Sequence, residues 1–136
     1  MLACFYAQIM ARHNTIGNIG ENIATRFLQS KGHRILDRNY RKKWGEVDIV
    51  SRENRVTHFV EVKTISRENG GVVSQNAPYH RPEENLHGGK LLRLRRVVET
   101  YIENENIKGD WQLDLVAVEL LLKDKKAVCR LIENVL

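Results

Sequence analysis

Asp48, Glu61 and Lys63 are the residues whose types and spacing best suit catalysis. Glu61 and Lys63 are separated by one residue in the run Phe59-Val60-Glu61-Val62-Lys63. Side chains alternate faces along a strand, so this carboxylate and ammonium point the same way. Asp48 interrupts a second apolar run, Gly45-Glu46-Val47-Asp48-Ile49-Val50. If the two runs pair as strands, Asp48 can meet Glu61. Carboxylates buried in a sheet are costly unless paired or bound to a cation. Mg²⁺ relieves that cost: it takes one or two carboxylates, keeps several waters and accepts phosphate oxygens. It also acidifies a bound water and neutralises charge developing on phosphorus. Lys63 would orient the attacking water and stabilise the transition state. The same residues also read as a plain salt bridge between Lys63 and a carboxylate, because Glu-x-Lys is a common pattern. The added Asp48 and the strand context put the catalytic reading on an equal footing.

The elements that must position these residues follow from periodicity. Residues 16–31 read as a helix, with Ile16, Ile19, Ile23, Ala24, Phe27 and Leu28 in one apolar stripe and Glu21 at its edge. Asn14 or Thr15 caps its start, and Gly32 supplies the left-handed residue that ends it. A short extended piece over 34–36 leads into a basic loop ending at Gly45. Residues 47–51 and 56–64 read as strands, the second rich in β-branched side chains, joined by a turn at 53–55. Residues 65–89 hold both prolines and two Gly-Gly pairs and show no sustained period; so long an irregular stretch tends to be functional or disordered. A second helix covers 90–103, with Leu91, Leu94, Val98, Tyr101 and Ile102 on its apolar face. Strands at 111–121 and 127–132 complete the chain. The expected architecture is a single α/β domain over 16–136, with a mixed five-stranded sheet flanked by helices. Residues 1–15 form an N-terminal extension.

The 136 residues suit one domain with one core, and 42% hydrophobic with 29% charged residues is an ordinary globular balance. The apolar start is too short to span a bilayer and lacks the basic opening of a secretory signal, so no membrane role is expected. Cys4 and Cys129 have no metal-ligand spacing, which favours a reducing cytoplasm over a disulfide framework. The net charge is +5, and its placement is more telling than its size. Arg26, Lys31, Arg34, Arg38, Arg41, Lys42 and Lys43 are opposed only by Asp37, and Lys90, Arg93, Arg95 and Arg96 form a second cluster. Two such clusters point to a polyanion partner; a solvated face is the alternative. Tyr40 and Trp44 lie in the first cluster and either stack on bases or pack ordinarily. The histidines show no ligand spacing, and His33, His58, His80 and His87 read as surface residues.

The runs Gly17-x-x-Gly20-Glu21, Asn39-Tyr40-Arg41, Gly45-Glu46-Val47-Asp48-Ile49-Val50 and Phe59-Val60-Glu61-Val62-Lys63-Thr64 resemble the bacterial YraN-like family, UPF0102. That family is grouped with the PD-(D/E)xK nucleases, whose fold is restriction-endonuclease-like and similar to archaeal Holliday-junction resolvases. The resemblance implies Asp48 and Glu61 as ligands of Mg²⁺ or Mn²⁺, the Val62 carbonyl as a third oxygen and Lys63 as the catalytic lysine. Glu21 matches a glutamate that assists the metal; otherwise it is an acid near a helix N-terminus, where the dipole favours it. Glu46 reads as a partner of the metal ligands or as a surface acid. Lys90 matches a family lysine and would hold a backbone phosphate or be solvated. Asp114 stands where the family has Arg-Phe-Asp, but Gln112 replaces the arginine, and Ile65 replaces another. Both departures remove phosphate contacts.

The expected function is a metal-dependent endonuclease on DNA, at branched or structured sites, with Arg38, Arg41, Lys42, Lys43, Lys90 and Arg93 on the nucleic acid. A homodimer would suit symmetric junctions. The alternatives are a nucleic-acid-binding module that keeps the fold without turnover, and a protein-interaction domain using residues 65–89 or the apolar N-terminus.

Overall fold

The computed structural model describes residues 16–67 and 88–135. The expected extension at 1–15 and most of the expected irregular stretch, 68–87, lie outside them. Helix α1 (Ile16–Ser30) buries Ile19, Ile23, Ala24 and Leu28, as its stripe requires, while Ile16 is left exposed at the helix start. It ends on Gly32 with φ +93°. The Gly32 N–H bonds the Gln29 carbonyl and the His33 N–H bonds the Leu28 carbonyl, both at 3.0 Å, a Schellman closure.

Strand β1 (Arg34–Lys42) is much longer than the piece expected over 34–36, and the supposed basic loop is mostly strand. It pairs antiparallel with β2 (Gly45–Glu53) from Arg34↔Arg52 to Lys42↔Gly45. Its period was hidden for two reasons. A register shift falls between Ile35 and Asp37, and Asn39 has φ 54°. An edge strand also needs little apolar content, and basic side chains there discourage edge-to-edge association. Asn54 (φ 49°) and Arg55 (φ 67°) form a two-residue turn into β3 (Val56–Arg67), where paired left-handed residues match strand twist. Helix α2 (Gly88–Asn104) then crosses to β4 (Trp111–Leu121), which lies parallel to β3 from Thr57↔Trp111 to Arg67↔Leu121. Strand β5 (Lys126–Ile132) closes the sheet antiparallel to β4.

The strand order is β1-β2-β3-β4-β5, with β3 in the centre. Neighbouring residues divide between two cores. Ile49 and Val60 pack with α1, whereas Val50 and Phe59 pack with Val97, Val98 and Tyr101 of α2. One helix therefore covers each face of the sheet, as expected for a mixed α/β domain. No helix among the described residues is long and apolar enough to cross a membrane.

Gly20 sets how closely α1 approaches β3. A Cβ built there would lie 1.7 Å from Thr64 Oγ1 and 2.8 Å from Thr64 Cβ. Rotating the threonine cannot clear both atoms, because its Cβ is fixed to the backbone. Gly20→Ala is expected to destabilise the protein by about 1–3 kcal/mol in denaturant unfolding, the range for overpacking. Thr64→Ala should recover part of that loss in a double-mutant cycle.

A candidate metal-binding carboxylate pair

The β2–β3 ladder ends at Ile49↔Val60. Just beyond it, the Asp48 carboxylate takes over from the backbone: Oδ2 accepts the Val62 N–H at 2.7 Å. This bond draws Asp48 across to β3 beside Glu61. Asp48 is 6% exposed, and the Glu61 side chain is 16% exposed. Glu61 Oε1 is 3.2 Å from Lys90 Nζ at the start of α2. Glu61 Oε2 is buried and, with both carboxyls ionised, has no donor among the described residues.

Burial pushes the Asp48 carboxyl up to about 8, and the Glu61 charge adds to the rise; the Val62 N–H opposes both. Glu21 and Glu46 add smaller repulsions. Burial also raises the Glu61 carboxyl, against the lowering effect of Lys90 and of a hydrogen bond shared with Asp48. Without a metal, the pair therefore keeps a proton near neutrality. The donor set suits a hard cation. Glu61 commits one oxygen to Lys90 and leaves the other buried and open, and Asp48 lies alongside under repulsion from three acids. Backbone bonding and ladder register fix both side chains.

Lys63 lies two residues beyond Glu61 in an unbroken ladder with β4, so it shares Glu61's face. It is half-buried and makes no ion pair among the described residues. Glu21 on α1 is close enough to raise Asp48, and its Oε2 lies 3.7 Å from Arg38. Arg38, expected on nucleic acid, is half-buried in that pairing. Glu46 is exposed and bonds Arg41 at 2.7 Å, yet its charge reaches both carboxylates. Lys90, expected on phosphate or in solvent, is placed beside Glu61. Sequence reasoning missed this because Lys90 lies 29 residues beyond Glu61 along the chain, on a different element.

Asp114 is not part of this pair. It is fully buried and bonds His58, Gln112 and the Asn134 N–H. His33 and His58, expected at the surface, are 7% and 2% exposed; His80 and His87 lie outside the described residues. The available signal for His58 was its place within the strand richest in β-branched residues. His33 follows the Gly32 helix stop, which turns it inward.

The β1–β2 hairpin end carries an open groove of about 400 Å³ lined by Arg41, Lys42, Lys43, Gly45 and Glu46. Tyr40 and Trp44 pack against the α2-side core. Their outer ring faces are taken by Lys42, 5.2 Å from the Tyr40 centroid, and Arg96, 4.3 Å from that of Trp44. Arg93 is exposed on α2. Cys129 is a half-buried free thiol, and Cys4 lies outside the described residues.

A family model described as "Uncharacterised protein family UPF0102" matches residues 20–118. A UPF0102 protein of Alkaliphilus oremlandii is 38% identical over 120 residues, covering 88% of this chain and 95% of the relative. One from Moorella thermoacetica is 36% identical over 119 residues, covering 87% and 92%. One from Dictyoglomus turgidum is 33% identical over 106 residues, covering 77% and 82%. The matched span includes all of the carboxylate cluster: Glu21, Asp48, Glu61, Lys63 and Lys90.

Proposed function

The chain belongs to the uncharacterised protein family UPF0102, and from that premise we propose that it is a metal-dependent endonuclease acting on DNA, at branched or otherwise structured sites. The observation that carries this reading is the buried Asp48–Glu61 pair with its open Glu61 oxygen. Asp48 and Glu61, with the Val62 carbonyl, would hold Mg²⁺ or Mn²⁺. Such an ion supplies an acidified water and charge neutralisation at the scissile phosphate. The protein supplies the positioning. The Val62 N–H fixes the Asp48 carboxylate, and Lys90 fixes one Glu61 oxygen. Lys63, on the same face, orients the attacking water and stabilises charge on a phosphate oxygen. Glu21, held by Arg38, adds negative potential that favours a divalent cation over a bare proton.

Exposed Arg41 and Lys43, with half-buried Lys42 between them, draw in the phosphate backbone. DNA binding is expected to weaken steeply with salt as counterions are released. Replacing all three with alanine should reduce the slope of log affinity against log salt by about 0.9 per lost contact. Fluorescence anisotropy from low to physiological salt measures it, and an unchanged slope would take the hairpin out of the interface.

The direct test is cleavage of linear, nicked and four-way DNA with Mg²⁺ or Mn²⁺. Cleavage should need the ion and fall away when Asp48 is replaced. A second reading rests on Gln112, which stands in place of an arginine and commits its amide to Asp114 at 2.8 Å. On that reading the fold binds DNA without turnover. Salt-sensitive binding that survives Glu61→Gln, with no cleavage of any substrate, would select it.

A further inference from the structure

Strand β3 carries a second cluster. His58 lies three residues before Glu61, so it points to the opposite face of the sheet, about 10 Å away along the strand. Its ring is held firmly. Nδ1 is 2.6 Å from Asp114 Oδ2, while Asp114 Oδ1 accepts the Gln112 amide at 2.8 Å and the Asn134 N–H at 2.9 Å. With Nδ1–H given to Asp114, Nε2 presents a lone pair. That nitrogen is buried and has no hydrogen-bond partner among the described residues. Glu53 Oε2 lies 3.8 Å away and is also an acceptor. His33 stands edge-on to His58, with ring centroids 4.6 Å apart, and its Nδ1 is 2.9 Å from Ser51 Oγ. One nitrogen of each histidine and one Glu53 oxygen all lie within 4.8 Å of one another.

Acceptors converging around a buried, unpartnered nitrogen are what a cation resolves. Two imidazoles and one carboxylate match zinc and its neighbours, whereas Mg²⁺ prefers oxygen donors throughout. Asp114 and Ser51 act as the outer partners that orient ligating histidines and fix their tautomers. Around tetrahedral zinc, ligand atoms sit roughly 3.4 Å apart, from bond lengths of about 2.0–2.2 Å. The 3.8 Å His58–Glu53 gap closes with a small movement of Glu53, whose side chain is 31% exposed at the end of β2. A second set, His58, Asp114 and Glu133, also lies within 4.8 Å. Asp114 already holds His58, Gln112 and the Asn134 N–H, so using that set would compete with the bonds that hold His58. We propose that His33, Glu53 and His58 form a second metal site, taking a zinc-class divalent cation, separate from the Asp48–Glu61 pair.

The test titrates Zn²⁺ into the chelator-stripped full chain in millimolar Mg²⁺, with X-ray absorption at the zinc edge on the loaded protein. One equivalent should bind, with two imidazoles and only nitrogen or oxygen neighbours. Glu53→Gln, at a half-exposed position, should weaken binding about tenfold or more. Asp48→Asn should leave it unchanged. Failure to bind Zn²⁺ at tens of micromolar, sulfur in the shell, or binding that follows Asp48 instead of Glu53 would each overturn the proposal. The absorption spectrum uses the unaltered chain, so it decides the matter even if a variant fails to fold.

Discussion

Glu61→Gln is expected to reduce Mg²⁺-dependent DNA cleavage about 1,000-fold while leaving the protein folded. The substitution keeps the side-chain volume and an oxygen for Lys90, but it removes the charge that holds the cation. A 1,000-fold loss corresponds to about 4 kcal/mol of transition-state stabilisation, a reasonable share for one of two ligands to a metal that does much of the electrostatic work. Asp48→Asn should lose a similar factor, because it also removes a ligand charge. The double variant should fall little further, since ligands of one ion act as a unit and their losses do not add. Single-turnover cleavage with circular dichroism on the same samples measures both halves of this expectation. Stability should hold or improve in Glu61→Gln, because a buried charge repelling Asp48 has gone. A well-folded Glu61→Gln with wild-type cleavage would remove the carboxylate pair from the chemistry.

The second large effect is on stability. Asp48 has its carboxyl pushed up to about 8 in the folded protein, from 3.8. The folded state therefore holds a proton that the unfolded chain has already released across most of that range. Stability is greatest below the unfolded value and is lost as pH rises towards 8. Buried His33 runs the other way. Burial and the nearby His58 lower its pKa from 6.5, so its contribution is lost only as pH falls below 6.5. Between pH 6.5 and 8 Asp48 dominates, and the metal-free protein should lose about 1–2 kcal/mol, or roughly 4–10 °C in Tm. Asp48→Asn should flatten this slope. Mn²⁺ at several times its Kd should restore the Tm most strongly at the pH 8 end of this window, where competition from the proton is weakest. Thermal unfolding at a series of pH values, with and without Mn²⁺, checks the sign of each part. A wild-type Tm that rises over this window would contradict the assignment of Asp48.

Much of the fold was legible because the periods were clean. The α1 stripe, the Gly32 stop, the β-branched run of β3 and the span of β4 each followed from local pattern and turn chemistry. Strand β1 was not legible. Its pattern is interrupted by a register shift and by Asn39, and its composition is that of an edge. The convergence of Asp48 on Glu61 was readable from two apolar runs, each broken by an acid. Its means was not: nothing local shows that the Asp48 side chain would take the Val62 N–H in place of a ladder bond. The pairing of Lys90 with Glu61 and the meeting of His33, Glu53 and His58 depend on contacts between elements. Their residues have no spacing in the sequence that marks them as neighbours, and only the strand register and helix docking bring them together.

The central claim is that Asp48 and Glu61 share one divalent cation. Anomalous scattering from a crystal of the wild-type protein soaked in Mn²⁺ tests it most directly. The account predicts a manganese peak between the two carboxylates, bonded to both and absent after Glu61→Gln. Ordered Asp48 and Glu61 side chains with no peak between them, at a Mn²⁺ concentration that supports binding elsewhere in solution, would contradict it.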